Sequence, residues 1–68
     1  MIATIVKRVW APAPGIAPVR EGTEVEVEES PNGRHYEVTL PDGARVAVGK
    51  HVFAGVAVFR RADNLGYR

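Results

Sequence analysis

Between residues 23 and 48 the chain alternates apolar and polar side chains with a period of two, broken twice by short turn sequences. Successive side chains of a strand point to opposite faces, whereas a helix repeats every 3.6 residues or so, so this alternation specifies half-buried strands. Val25 and Val27 fall on one face, with Glu24, Glu26 and Glu28 on the other. Tyr36, Val38 and Leu40 oppose His35, Glu37 and Thr39, and Ala44, Val46 and Val48 return in phase. The interruptions, Ser30-Pro31-Asn32-Gly33 and Pro41-Asp42-Gly43, are turns: proline presets the first central residue, Asn or Asp suits the second, and glycine accepts positive φ.

The second turn also fixes a register. A three-residue loop with a glycine bulge pairs Leu40 with Ala44, Val38 with Val46 and Tyr36 with Val48, which places all six on one face. A slip of one residue would turn that set outward. The first turn, read as a four-residue loop, pairs Val27 with Tyr36 and Val25 with Val38. That register sets Glu26 opposite Glu37, an unfavourable pair of like charges.

The flanking segments follow the same logic less cleanly. Residues 2–10 are rich in Ile, Val and Thr and form a first strand, but Ile5 and Val9 are apolar and so are Val6 and Trp10. A strand covered on both faces, or bent between two sheets, has this pattern. Residues 11–18 carry Pro12, Pro14 and Pro18, which exclude a helix or central strand and give a stiff loop running on to Gly22. Residues 49–55 are glycine-bounded and short, which predicts a single 3₁₀ turn with Val52 or Phe53 plugging the core. Residues 56–60 form a last strand, with Val56 and Val58 opposed to Ala57 and Phe59. The expectation is an all-β fold of about five antiparallel strands in one domain over residues 1–60, followed by a polar, basic C-terminal tail over residues 61–68.

A chain of 68 residues builds a thin core, and small domains often add disulfides or a metal. Without cysteine, disulfides and thiolate metal sites are excluded, and His35 and His51 are too few to close a metal site alone, so no cofactor or metal is expected. Stability must come from packing or assembly. A hydrophobic content of 46% is that of a globular chain, and a net charge of +1 gives duplex DNA binding little support. Residues 1–8 lack the order of a signal peptide and no apolar run is long enough to span a membrane, which predicts a soluble, cytoplasmic protein with no membrane partner.

The order of strand, long loop, strand, short turn, strand, tight turn, strand, 3₁₀ turn and strand resembles the SH3-like small barrel. Residues 22–53 carry the likeness: a glycine-led Val25-x-Val27 strand, a Tyr36-x-Val38-x-Leu40 strand, the Asp42-Gly43 turn and a Val46-x-Val48 strand. The resemblance implies a small barrel with the 3₁₀ turn before its last strand, and it does not fix a function. Peptide-binding SH3 domains resemble one another through an Ala-Leu-Tyr-Asp-Tyr-like strand and a tryptophan after the second loop; this chain has neither, so recognition of proline motifs is not carried over.

Catalytic chemistry finds little purchase. Ser30, the only serine, lies in a turn, and the two histidines are far apart in sequence with no motif around them. Glu24, Glu26 and Glu28 share a strand face that acid side chains keep soluble. In SH3-like barrels the first and last strands are neighbours, which would gather Lys7 and Arg8 with Arg60 and Arg61 into a phosphate-binding patch, with Trp10 or Phe59 as a stacking surface. The plainer reading makes those cations solvated strand ends and the two aromatics core.

Two functional expectations follow from these features. The first is a non-enzymatic protein-interaction or structural accessory module, partnered by another protein or by itself as a homo-oligomer. The alternative is a nucleic-acid-binding small barrel using the basic patch. A third, an oligomeric enzyme with one shared site at the centre of several copies, requires an assembled channel.

Overall fold

A computed structural model of the chain describes residues 1–60. The tail over residues 61–68, Arg61 included, lies outside the described residues.

Among the described residues seven strands and one short helix form, in the order β1 (Ile2–Ile5), β2 (Val9–Trp10), β3 (Val19–Arg20), β4 (Glu24–Glu29), β5 (His35–Thr39), β6 (Arg45–Gly49), α1 (Lys50–Ala54) and β7 (Ala57–Phe59). Five of the strands make one antiparallel sheet in the order β6-β5-β4-β1-β7, and β2 and β3 make a separate two-stranded ribbon. The all-β expectation and its five-stranded antiparallel sheet therefore hold.

The β5–β6 hairpin has the expected register. Val38 pairs with Val46 and Tyr36 with Val48, the Leu40 N–H donates to the Ala44 carbonyl at 2.8 Å, and the Gly43 N–H donates to the Leu40 carbonyl at 2.9 Å. Gly43 takes φ +93°, the left-handed conformation that a glycine bulge needs.

The β4–β5 register differs from the expected one by two residues: Val27 pairs with Val38, Glu29 with Tyr36 and Glu28 with Glu37. The turn chemistry accounts for the shift. The Ser30 hydroxyl donates to the Asn32 side-chain oxygen at 2.6 Å, the Arg34 N–H donates to that same oxygen at 2.9 Å, and the Ser30 N–H donates to the His35 carbonyl at 3.0 Å. Ser30 and His35 thus close the hairpin and Arg34 joins the loop. A two-residue shift leaves every side chain on its expected face.

The single first strand of the sequence reading is broken. The N–H groups of Val6 and Lys7 both donate to the Val56 carbonyl, at 2.8 and 3.3 Å. Two residues set against one is a β-bulge. It explains the imperfect alternation: Ile5 and Trp10, five positions apart, are both buried because the extra residue changes the phase between them.

Past the bulge the chain enters β2 and the proline loop, which is the tip of a hairpin. Trp10 pairs with Val19 and Val9 with Arg20. The Ile16 N–H donates to the Ala13 carbonyl at 3.1 Å, with Pro14 and Gly15 (φ +82°) between them in the arrangement of a type II turn. Ala13 and Ile16 pack against the core.

The expected 3₁₀ turn is instead α1, a single α-helical turn. Only its exit tightens to three-residue bonds, from the Gly55 N–H to the Val52 carbonyl and from the Val56 N–H to the Phe53 carbonyl. Of the two candidate plugs it is Phe53 that fills the core, with no exposed surface, while Val52 is 61% exposed. Phe53 meets Trp10 edge-on at a centroid distance of 5.9 Å and Tyr36 at 5.6 Å.

The sheet curls strongly. Tyr36 and Phe59 lie three strands and four rungs apart, roughly 19 Å in a flat sheet, yet their ring centroids are 5.4 Å apart. Even so, β6 and β7 remain the two edges and do not pair, so no closed barrel forms among the described residues. Helix α1 packs against both edge strands and fills the gap between them. The five-stranded antiparallel sheet of the expectation is therefore present, and the expected closure into a barrel is not found among the described residues.

Candidate interaction surfaces

The antiparallel pairing of β1 with β7 decides the fate of the basic patch. The Arg60 N–H donates to the Ile2 carbonyl at 2.8 Å, at the start of β1, whereas Lys7 meets Val56 beyond its other end. The strand separates Arg60 from Lys7 and Arg8 by roughly 15 Å. The structure therefore brings the first and last strands together without gathering those cations. Arg60 donates to Glu24 at 3.2 Å, so its charge already has a partner. Trp10 is buried under the proline loop, at 5% exposed, and offers no stacking face. Phe59 is 36% exposed and leans its ring on Tyr36 and Phe53.

Other exposed cations lie on the bulge and on the β2–β3 ribbon. Lys7 and Arg8 are exposed on the bulge, and the Glu21 N–H donates to the Arg8 carbonyl, which places the β3 end alongside. Arg20 sits opposite exposed Val9. Among the described residues Lys7, Arg8 and Arg20 make no salt bridge, whereas Arg45, Lys50 and Arg60 each do. The sequence reading missed Arg20 because residues 11–22 were read as one loop; seen as a hairpin, Arg20 falls opposite Val9, and Glu21 opposite Arg8.

The convex face of the sheet is acidic. Glu28 and Glu37 are direct cross-strand partners, a like-charge pair, and Arg45 of β6 reaches both, at 3.4 and 2.9 Å. A shallow depression of about 460 Å³ lies above them, bordered by Met1, Ile2, Glu26 and Thr39. The Met1 ammonium at its rim donates to the Val27 carbonyl at 2.9 Å. On the concave side Lys50 bonds to Glu29 and lies over the Tyr36 ring, 5.2 Å from its centroid. The bond to Glu29, which favours the ammonium form, holds the Lys50 pKa above its ordinary value.

The most open backbone belongs to β6. The Leu40–Ala44 bond sets the phase of the ladder, so Val46 and Val48 bond to β5 and the backbone groups of Arg45 and Ala47 face away from the sheet. No strand pairs with that edge among the described residues. Arg45, Ala47 and Gly49 are all exposed, and Arg45 is the only charge in the strand. Edge strands are usually guarded by charges, proline, a bulge or shortness. The other edge strand, β7, is three residues long, and Ala57 is buried at 4% exposed, so it offers less open backbone than β6.

Among the described residues no three His, Asp or Glu side chains are grouped to hold a metal ion, and no helix is long and apolar enough to cross a membrane. Comparison with family models, curated proteins and solved structures found no match. The functional reading therefore rests on these surfaces alone.

Proposed function

We propose that the protein is a non-enzymatic protein-interaction or structural accessory module that works by accepting a strand at the edge of β6. The observation that carries this reading is the exposed, five-residue β6 edge, whose outward backbone groups at Arg45 and Ala47 have no partner strand among the described residues. Strand addition draws its affinity from main-chain hydrogen bonds and its specificity from alternate side chains, and both are on offer here. Light scattering combined with chemical cross-linking tests the reading. Association with another copy or another protein is the expected result. A strictly monomeric chain that holds no protein partner overturns it.

A nucleic-acid-binding role is the second reading, favoured by Lys7, Arg8 and Arg20, which are exposed and make no salt bridge among the described residues. Phosphate contacts through these residues predict an affinity for a single-stranded oligonucleotide that falls steeply with added salt. Neutralising Arg8 and Arg20 flattens that dependence. Absence of binding at low salt removes the role.

A further inference from the structure

We infer that the strand accepted by β6 is the β6 strand of a second copy, paired antiparallel about a twofold axis at Val46. This rests on the strand-accepting reading above and names its occupant.

The register follows from which groups face outward. Arg45 and Ala47 present their N–H and C=O groups to the open side, and an antiparallel partner exchanges bonds between such residues. Setting Arg45 opposite the partner's Ala47, and Ala47 opposite the partner's Arg45, satisfies every one of those groups in both copies. Val46 then faces its own counterpart across the axis. A frame shifted toward α1 would draw on Gly49, whose carbonyl opens α1, and would run the neighbouring hairpin past the helix.

Side chains select a second copy over an unrelated strand. Ala47 is small, so an arginine laid against it meets no obstruction. Beyond Ala47 in the same cross-strand row stand Glu37 and then Glu28. The arginine of one copy therefore points along the partner's row of one methyl group and two carboxylates. Within its own chain Arg45 already reaches Glu28, two strands away and off the row, at 3.4 Å. The carboxylate of the partner's Glu37 lies two strands away on the row, a shorter span. Each Arg45 then lies between its own Glu28–Glu37 pair and the partner's, so that the two arginines bridge the two acidic rows. The contact is isologous and closes on itself, giving a dimer with a continuous sheet through both copies and no open filament.

The absence of cysteine makes the register directly readable. In the inferred pairing the α-carbons at positions 45 and 47 of opposite copies lie about 5.5 Å apart, whereas 45 to 45 and 47 to 47 lie roughly 8 Å apart, beyond disulfide reach. Full-length Arg45→Cys and Ala47→Cys chains, mixed in equal amounts and mildly oxidised, are expected to give the mixed disulfide in preference to either homodisulfide, as read by mass spectrometry. Sedimentation of the unmodified protein is expected to show a concentration-dependent dimer that weakens with salt. An Ala47→Lys chain, which sets lysine against the partner's Arg45 at an exposed position, is expected to dimerise on the order of tenfold more weakly. A dimer whose cysteines couple in statistical proportions, or which Ala47→Lys leaves unchanged, overturns the register. A monomer at every concentration overturns the second copy. If that monomer still binds a labelled peptide of alternating valine and glutamate, and Ala47→Lys alters the affinity, strand acceptance by β6 survives with a foreign occupant; if it binds neither copy nor peptide nor any other protein, the proposed function falls as well.

Discussion

The two sides of β4 keep their side chains in order by different means. Toward β5 and β6 the chain is a meander of two tight hairpins, and the alternation of the sequence carries straight into the core through Val27, Val38, Val46 and Val48. Toward β1 and β7 the order is set by a bulge, which inserts one residue so that Ile5 and Trp10 both turn inward. The regular side exposes its free backbone, at β6. The irregular side has only a short edge at β7, covered at Ala57, and exposes side chains besides, among them Val6, Lys7, Arg8 and Val9. Regularity thus leaves an edge available for pairing, and irregularity leaves a surface decorated with charge. Bulges serve other sheets in the same way, ending a ladder and redirecting the side chains beside it.

Phe53 joins the two sides, and its removal is the most damaging way to separate them. It is fully buried and contacts Trp10 from the bulged side and Tyr36 from the meander. Phe53→Ala is expected to cost about 3–5 kcal/mol. A domain of this size has a total stability of only about 3–10 kcal/mol, so urea denaturation followed by circular dichroism should show a chain largely unfolded or close to it. Val52→Ala, on the exposed side of the same helix, should stay within about 0.5 kcal/mol of the parent.

Deleting Lys7 tests whether the bulge sets only the phase. The deletion leaves Ile5 and Trp10 four positions apart, an even spacing that keeps both inward on an unbroken strand. Tryptophan emission is therefore expected to stay at short wavelength, with urea stability largely retained. Emission moving to longer wavelength would mean that the bulge aims Trp10 by more than its phase. The meander is tested at its tightest point by Gly43→Ala. At φ +93° a side chain is strained, and a loss of about 1–2 kcal/mol is expected. Gly55→Ala provides the contrast, because φ there is −83° and an added methyl meets only ordinary contact with the Val52 carbonyl. No loss of stability is expected at that position.

The same division separates what the sequence made legible from what it did not. The β5–β6 register was readable because the turn type and the hydrophobic phase are local and agree, so that Pro41, Asp42 and Gly43 admit one pairing of Leu40 with Ala44. The β4–β5 faces were readable, but their pairing was not: the Ser30 and Asn32 side chains compete with the backbone for turn hydrogen bonds and move the closing pair to Ser30 and His35. The bulge left only a trace, two apolar residues out of phase, because its cause is the Val56 carbonyl, which is distant in sequence. The candidate surfaces were hidden for the same reason. The placement of Arg20 opposite Val9 follows only once residues 9–20 are seen as a hairpin, and the exposure of β6 depends on how α1 ends the sheet. The gap between β6 and β7, where closure into a barrel is not found among the described residues, depends on pairings distant in sequence that no local pattern records.

The finest test of the comparison lies at Lys50, which ties the end of the meander to α1. The Glu29 carboxylate bonds to its ammonium group, and the Tyr36 ring lies beneath it. The pKa of Lys50 is raised above 10.5, first by the hydrogen bond to Glu29, with burial opposing and the charge of Glu29 adding. The folded chain therefore holds this proton more tightly than the unfolded chain does. The stabilisation is fully present below the unfolded value and disappears as pH rises through the higher folded value. Other groups titrate in the same alkaline range, so the measurement is a difference: urea stability of the parent minus that of Lys50→Met, at about pH 9 and again at about pH 12. The difference is expected to be small and positive at the lower pH and to vanish at the higher one, and Glu29→Gln should abolish it at both. A difference that persists unchanged into strong alkali would mean that Lys50 acts through its methylene contact with Tyr36, and the link between the meander and α1 would then be one of packing without charge.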